Sequence, residues 1–599
     1  MENSSDLVQV ISKCIENCET NKLSSIFEDA GNNESIASNC WDIIPILCAK
    51  LDQETYDKLP AMFQSCDKLL NKVAEISCPE EALLELIEQA DCPDNDLRFL
   101  ALLKPIHRLL IRMPEKRGRS LVWCLNLVAS HISALPEPSS YTLENSERVL
   151  LDLDPATCRA VDVYNSITPF FEPFVEEVSL FKPVVSVDKP ILAQQIYQRY
   201  VLSAFLIHLL EKPLLLMDLE YDGKTKSKSR CVAEKIVEYF DNVMPDIVPI
   251  LFERCFGKQK LSNDDGWDTD PVKMFQFEEK VPILGLSNLL YLILVEGLSR
   301  KSIPYVYSPN YLFPVALHLS TELLLAGHDL SVWKGLQLAH SSISLVPQSS
   351  ISYTMLDLPI HKNFCTSLEK IVVYCNIETY RKKGIRILQN YVMIMDLKAR
   401  YQVFINLFPL LEHSGVKGVL VTMLKDTIRM TMSDIHNPTT KLYRSKSLLK
   451  LIEVYCVVPN GPEVDLMDHS DHIISLLNLL WYLALADRSD LLGLWEHAPY
   501  LDRYFIHPLK DGLKLSRAHY ELKIHQLEEE KMNQTLGKKI KGDIVSVSVQ
   551  GETVPDLSYD EKKQILNVAL NKFSIMESLL SSIREEVESR FASRHSTDS

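Results

Sequence analysis

Apolar and polar positions along this chain follow a helical rhythm, broken at short intervals by proline or by small polar clusters. Between Ile473 and Ala486 only Ser475 and Asn478 are polar, so a helix here must be covered by neighbours on several faces. Leu368, Ile371, Val372 and Cys375 fall at i, i+3, i+4 and i+7, as do Leu388, Tyr391, Val392 and Met395, which predicts two consecutive amphipathic helices. The same reading predicts helices over Ala61–Ile76, Leu97–Met113, Ser120–Leu135, Ala156–Glu177, Pro190–Leu210 and Pro309–Leu325. It continues through Gln402–Leu411, Val416–Met432 and Lys446–Val457. No sequence repeat is visible, but pairs of helices recur with a period of about 40 residues, the spacing of units that stack by packing. The expected fold is all-α, a HEAT/armadillo-like helical-repeat solenoid with an N-terminal region over residues 1–350 and a C-terminal region over 351–599.

One stretch departs from the helical rule. Ile544 to Val549 alternates at period two, Gln550-Gly551 offers a turn and Thr553-Val554 a return, which predicts one short β-hairpin near the C-terminus. Beyond it Ile565, Ala569, Met576, Leu579, Leu580, Ile583 and Val587 make a continuous apolar face on a final helix. The charged interruption from Gly257 to Glu279 reads as a loop.

Composition narrows the function. The 599 residues include only 18 glycines, under half the roughly 7% usual in proteins, which argues against glycine-punctuated β and nucleotide-binding folds. A net charge of −17 opposes attraction to nucleic-acid phosphates or anionic lipid, so neither partner is expected. The 14 cysteines lack CxxC spacing and read as reduced thiols, and the polar, acidic N-terminus lacks a secretory signal's apolar core. A cytoplasmic protein, with access to the nucleus, is the expectation. Tyr200–Met217 and Val281–Leu298 approach membrane-spanning length, but Glu211, Lys212 and Pro213 interrupt the first and Asn288 and Glu296 the second, so no insertion is expected.

Several patterns look chemical. Gly223-Lys224-Thr225 resembles the end of a phosphate-binding loop but lacks the preceding glycines. Asp465, Asp468, His469, Asp471 and His472 could ligate a metal, yet Asp468 and Ser470 serve more simply as helix caps beside solvated histidines. His413-Ser414-Gly415 places a histidine beside a serine with no strand before it, the setting of a helix break more than of a nucleophile. Catalytic residues, cofactor and metal are accordingly not expected, and the chain is not read as an enzyme.

A resemblance adds a function. Glu378-Thr379-Tyr380-Arg381-Lys382-Lys383, His413-Ser414-Gly415-Val416, Asp465 to Asp471 with Ser475 to Leu480, Gly493-Leu494-Trp495, Pro508-Leu509, Gly512-Leu513 and Ser516 to Glu521 resemble the glomulin (FKBP-associated protein) family in order and spacing. Val547 to Glu552 and Pro173 to Val178 are also similar to that family. The resemblance implies a HEAT-like protein whose C-terminal half binds the RING subunit of cullin-RING ubiquitin ligases, with its cullin. It implies that the protein covers the surface where the ubiquitin-conjugating enzyme docks, and that immunophilins are further partners. Candidate contact residues, chosen for position and chemistry, are Arg381, Lys382, Lys383, His413, Lys417, Lys425, Arg429 and Tyr443. The alternative is a general α-solenoid adaptor or trafficking scaffold, which would repeat one polar residue along many units; no such ladder is visible.

Overall fold

Several helix starts are set by side chains that the sequence places just ahead of an apolar run. Asn95 accepts from the amide of Arg98, Ser227 from Arg230, Ser308 from Tyr311 and Asp396 from Ala399, each satisfying an amide that the first turn leaves unpaired. Pro60, Pro79 and Pro309 stand at first helical positions, where their fixed φ costs nothing. The structure, a computed structural model, describes residues 2–114, 116–139, 143, 145–180, 189–221, 225–257, 281–433, 438–458, 461–487, 492–535, 548–549, 552–553 and 558–597. They divide into two compact units, Met1–Ser342 and Ile343–Ser599.

In the first unit, helices such as Pro60–Ile76, Pro79–Ala90, Asp96–Arg112 and Pro155–Leu180 pack in sequence over a continuous core that runs from Ile11 to Leu338. Successive helices touch chiefly their near neighbours, as stacked repeats do. A set of hydrogen bonds makes the period explicit. Asn95 donates to the carbonyl of Leu51, Tyr164 to Leu209, Arg199 to Val243 and Ser341 to Leu294, at sequence separations of 44, 45, 44 and 47. In the second unit Tyr401 donates to Ser447, Tyr443 to Leu397 and Tyr455 to Phe404, at 46, 46 and 51. Each bond ties a side chain to a backbone carbonyl about one helix pair away, and the interval is longer than the sequence rhythm suggests.

The two candidate spans are ordinary interior segments. The first leaves the helix Lys189–His208 for a turn and the 3₁₀ segment Leu214–Leu216, and the second is helical only over Ile283–Leu294. No helix among the described residues is long and apolar enough to cross a membrane.

The expected β-hairpin requires correction. Ile544 to Val547, most of its first strand, lies outside the described residues. Apart from a single bridge between Ile351 and Met395, strand geometry among the described residues is confined to two pairings of two residues each. These are Glu220–Tyr221 with Thr225–Lys226 and Ser548–Val549 with Glu552–Thr553. Such pairings fall short of a strand of about three to ten residues, and an isolated hairpin is marginal in water. The fold is a helical-repeat, solenoid-like one with no hairpin as an element of its architecture.

Lys334 is the one lysine among the largest fully buried side chains. Its Nζ donates to the carbonyl of Leu215 at 2.7 Å and lies 5.6 Å from the centre of the Tyr291 ring. Burial pushes its pKa down to about 7, against the opposing pull of Asp218 and Glu296. The unfolded chain keeps this proton to about pH 10.5, so the cost of holding the ammonium inside is complete below pH 7 and fades as pH rises toward 10. Relative to Lys334→Met, the parent protein is therefore expected to gain about 1.4 kcal/mol of stability per pH unit across that window, read by denaturant unfolding at each pH. A pH-independent difference between the two would show that the folded-state amine keeps an ordinary lysine pKa and is water-exposed.

Candidate partner-binding surface

The eight candidate residues fall on four segments of the C-terminal unit. Arg381, Lys382 and Lys383 open the helix Glu378–Met393, which packs on Ile360–Tyr374. Arg381 Nη1 donates to the carbonyls of Cys375 and Asn376 at 2.6 and 3.3 Å, closing the end of the preceding helix. Lys382 pairs with Glu378 at 2.6 Å across one exposed turn, a pair worth little on its own. Lys383 is partly buried, and burial alone holds its amine below the usual lysine pKa.

His413 and Lys417 are brought together at the start of Ser414–Ser433. The amides of Glu412 and His413 both donate to Glu369 Oε1, at 2.8 and 2.9 Å, and the amide of Gly415 donates to His413 Nδ1 at 3.1 Å. His413 thus acts as a helix cap. Lys417 lies 5.3 Å from the centre of the Phe408 ring, and burial lowers its pKa while Glu369 and Glu412 oppose the shift. Further along the helix, Lys425 and Arg429 share one face, with Arg429 exposed and 3.3 Å from Asp426.

Tyr443 does not belong to this surface. It has no exposed area, and its hydroxyl donates to the carbonyl of Leu397 at 3.0 Å, so it is a core residue that joins two segments. The sequence showed an aromatic near a helix start; the 3₁₀ segment Pro438–Tyr443 turns it inward.

The acid and histidine run before Ser470–Ala486 is structural. His469, not Asp468, occupies the N-cap position, and its side chain makes no cap hydrogen bond. His472 is buried, its pKa pushed down to about 3 chiefly by desolvation, with His469 and Lys417 adding to the shift. Its amide donates to Ser414 Oγ at 3.2 Å, and its Nδ1 lies 3.4 Å from the same oxygen. The Ser414–His472 pair therefore locks two helix starts together. Gly418 lets the two helices meet, since a Cβ there would stand 3.1 Å from the carbonyl oxygen of Asp471. Lys572 donates to Ser470 Oγ and Asp471 Oδ1 at 2.9 and 2.8 Å, and Tyr520 donates to Asp465 Oδ2 at 2.8 Å, so the carboxylates dock the two long C-terminal helices. Among the described residues no group of three His, Cys, Asp or Glu side chains is placed to hold a metal. In Gly223-Lys224-Thr225 the glycine and lysine lie outside the described residues.

The outer helix faces of this unit are cationic at the half-buried Lys425 and the exposed Arg429, and aromatic at the exposed Tyr374, Tyr500 and Tyr504. The fold and this surface define a helical-repeat protein of the solenoid-like class. The chain belongs to the family described as YAP/Alf4/glomulin, whose model matches residues 2–246 and 328–567 and so runs through both units. Glomulin of Mus musculus is 28% identical over 585 residues, spanning 96% of this chain and 92% of the mouse protein. Glomulin of Homo sapiens is 26% identical over 584 residues with the same coverage.

Proposed function

We propose that this protein inhibits cullin-RING ubiquitin ligases by occlusion: its C-terminal unit binds the RING subunit and covers the surface on which the ubiquitin-conjugating enzyme docks. The observation that carries this reading is the family match, collinear through both units and at near full length with two glomulins. The function itself comes from what resemblance to that family implies. The face carrying the half-buried Lys425 and the exposed Arg429 supplies charges of the sign that an acidic or carbonyl-rich partner surface would meet. Inhibition of this kind requires no reaction chemistry in the inhibitor, and it would operate wherever cullin ligases work, in cytoplasm and nucleus.

The direct test is complex formation between the purified full-length chain and the cullin-bound RING subunit, followed by size exclusion and calorimetry. A one-to-one complex is expected. The double variant Lys425→Glu/Arg429→Glu should bind about tenfold more weakly or worse if that face lies in the contact. Unchanged affinity in the variant would move the contact elsewhere on the unit, and absence of any complex would end the RING reading and favour an adaptor with a different partner.

A further inference from the structure

Three helices of the C-terminal unit turn apolar positions toward one hollow of about 600 Å³. Along Leu494–Leu501 the lining residues Leu494, Ala498 and Leu501 sit at i, i+4 and i+7. Along Tyr559–Thr597 they are Leu580, Ile583 and Val587, at i, i+3 and i+7. Leu480 and Ala484, one turn apart on Ser470–Ala486, complete the walls. Seven residues of helix rise about 10 Å, so each of the longer walls presents two turns of apolar face. The mouth is formed by the π-helical segment Asp502–Ile506, a geometry that recurs at functional sites, and by the following turn.

The charges at the mouth distinguish among occupants. Arg584 pairs with Glu588 at 2.6 Å and His507 reaches Asp511 at 3.6 Å, each within its own helix. Asp502 is exposed. Lys510 is partly buried, and among the described residues no carboxylate lies within ion-pairing reach of it. An occupant that covered the hollow would take this ammonium out of water, which is unfavourable unless the occupant brings an anion. We propose that the hollow is a receptor groove for an acidic amphipathic helix of a partner protein. Two of its turns would place apolar side chains against Leu494, Ala498 and Leu580, with a carboxylate on Lys510, in the helix-in-groove mode. This inference stands apart from the RING reading, because it needs only the groove and its charge.

The test uses the full chain and three fluorescein-labelled helical peptides of about four turns each. One carries leucines at i, i+4 and i+7 flanked by glutamates, the second has lysines in place of the glutamates, and the third scrambles the leucine spacing. Fluorescence anisotropy should show the acidic peptide binding at least about tenfold more tightly than the basic one, and the scrambled one scarcely at all. Lys510→Glu should reverse the charge preference. Ala498→Phe, which fills the hollow, should abolish binding while thermal unfolding shows the fold intact; Ala484→Phe serves if Ala498→Phe fails to fold. Equal binding of the acidic and basic peptides, binding that survives both filling variants, or no binding to any peptide would overturn the proposal. Palmitate binding without peptide binding would likewise overturn it, in favour of a small amphipathic acid.

Discussion

Titrated into ubiquitin-chain assembly by a cullin-RING ligase, the protein is expected to suppress chain formation in proportion to the ligase it occupies, reaching near-complete inhibition slightly above equimolar amounts. The reason is mass action. An inhibitor that covers the conjugating enzyme's docking surface acts only while bound, and at a concentration about 100 times its dissociation constant it leaves roughly 1% of the ligase free. Raising the conjugating enzyme should restore chains at least partly, since the two compete for one surface. Inhibition by a small fraction of an equivalent, or inhibition that deepens with time, would mean catalysis. Binding that leaves chain formation untouched would place the contact away from the docking surface. Either result removes the occlusion mechanism and leaves the helical-repeat fold as it is.

The other large effect concerns Gly285. Its helix, Ile283–Leu294, crosses Lys189–His208 so closely that a Cβ on Gly285 would collide with the carbonyl oxygen of Ile207 and stand 3.0 Å from Glu211 Cγ. A backbone carbonyl in a packed helix cannot swing aside as a side chain can, so the helices must separate. Asn288, one turn further on, donates to the carbonyl of Leu210 at 2.8 Å and would be pulled from it. Gly285→Ala should therefore lower stability by about 3 kcal/mol, the upper end of overpacking costs, with valine worse. Gly257→Ala separates strain from clash: among the described residues nothing lies within 4 Å of that position, while its φ of +76° and ψ of 173° are adopted readily only by glycine, so a cost of about 1–3 kcal/mol is expected from backbone strain alone. If Gly285→Ala unfolds at the parent's denaturant midpoint, the close crossing is not present in solution.

How much of this was legible in the sequence depends on how local the signal is. Pro309–Leu325 matches its sequence boundaries because Ser308 and Pro309 are a local start signal. The helix expected from Ser120 begins at Arg117, because the turn before it offers no capping side chain to mark the start. Tyr443 and His472 could be named but not placed. Their burial is decided by Leu397 and Ser414, residues 46 and 58 positions away, and a single chain carries no mark of such partners. The hairpin shows the converse: alternation at Ile544 to Val549 gives a period, while a stable ribbon also needs a third strand or a helix to cover it. The groove left one trace, an apolar face on the last helix extending through Leu580, Ile583 and Val587. Nothing local could say that part of that face would line a hollow.

The recurring side-chain bonds to carbonyls about 45 positions away also bear on how the chain comes apart. In the first unit these clasps follow one another along the chain, so freeing helices at its start breaks the clasps nearest to them and leaves those beyond closed. Under tension such a chain would lengthen in instalments, each releasing about 45 residues, or about 150 Å of extended backbone. The same segmentation would let a cellular unfoldase stall between instalments, with the remaining stack still folded in front of it.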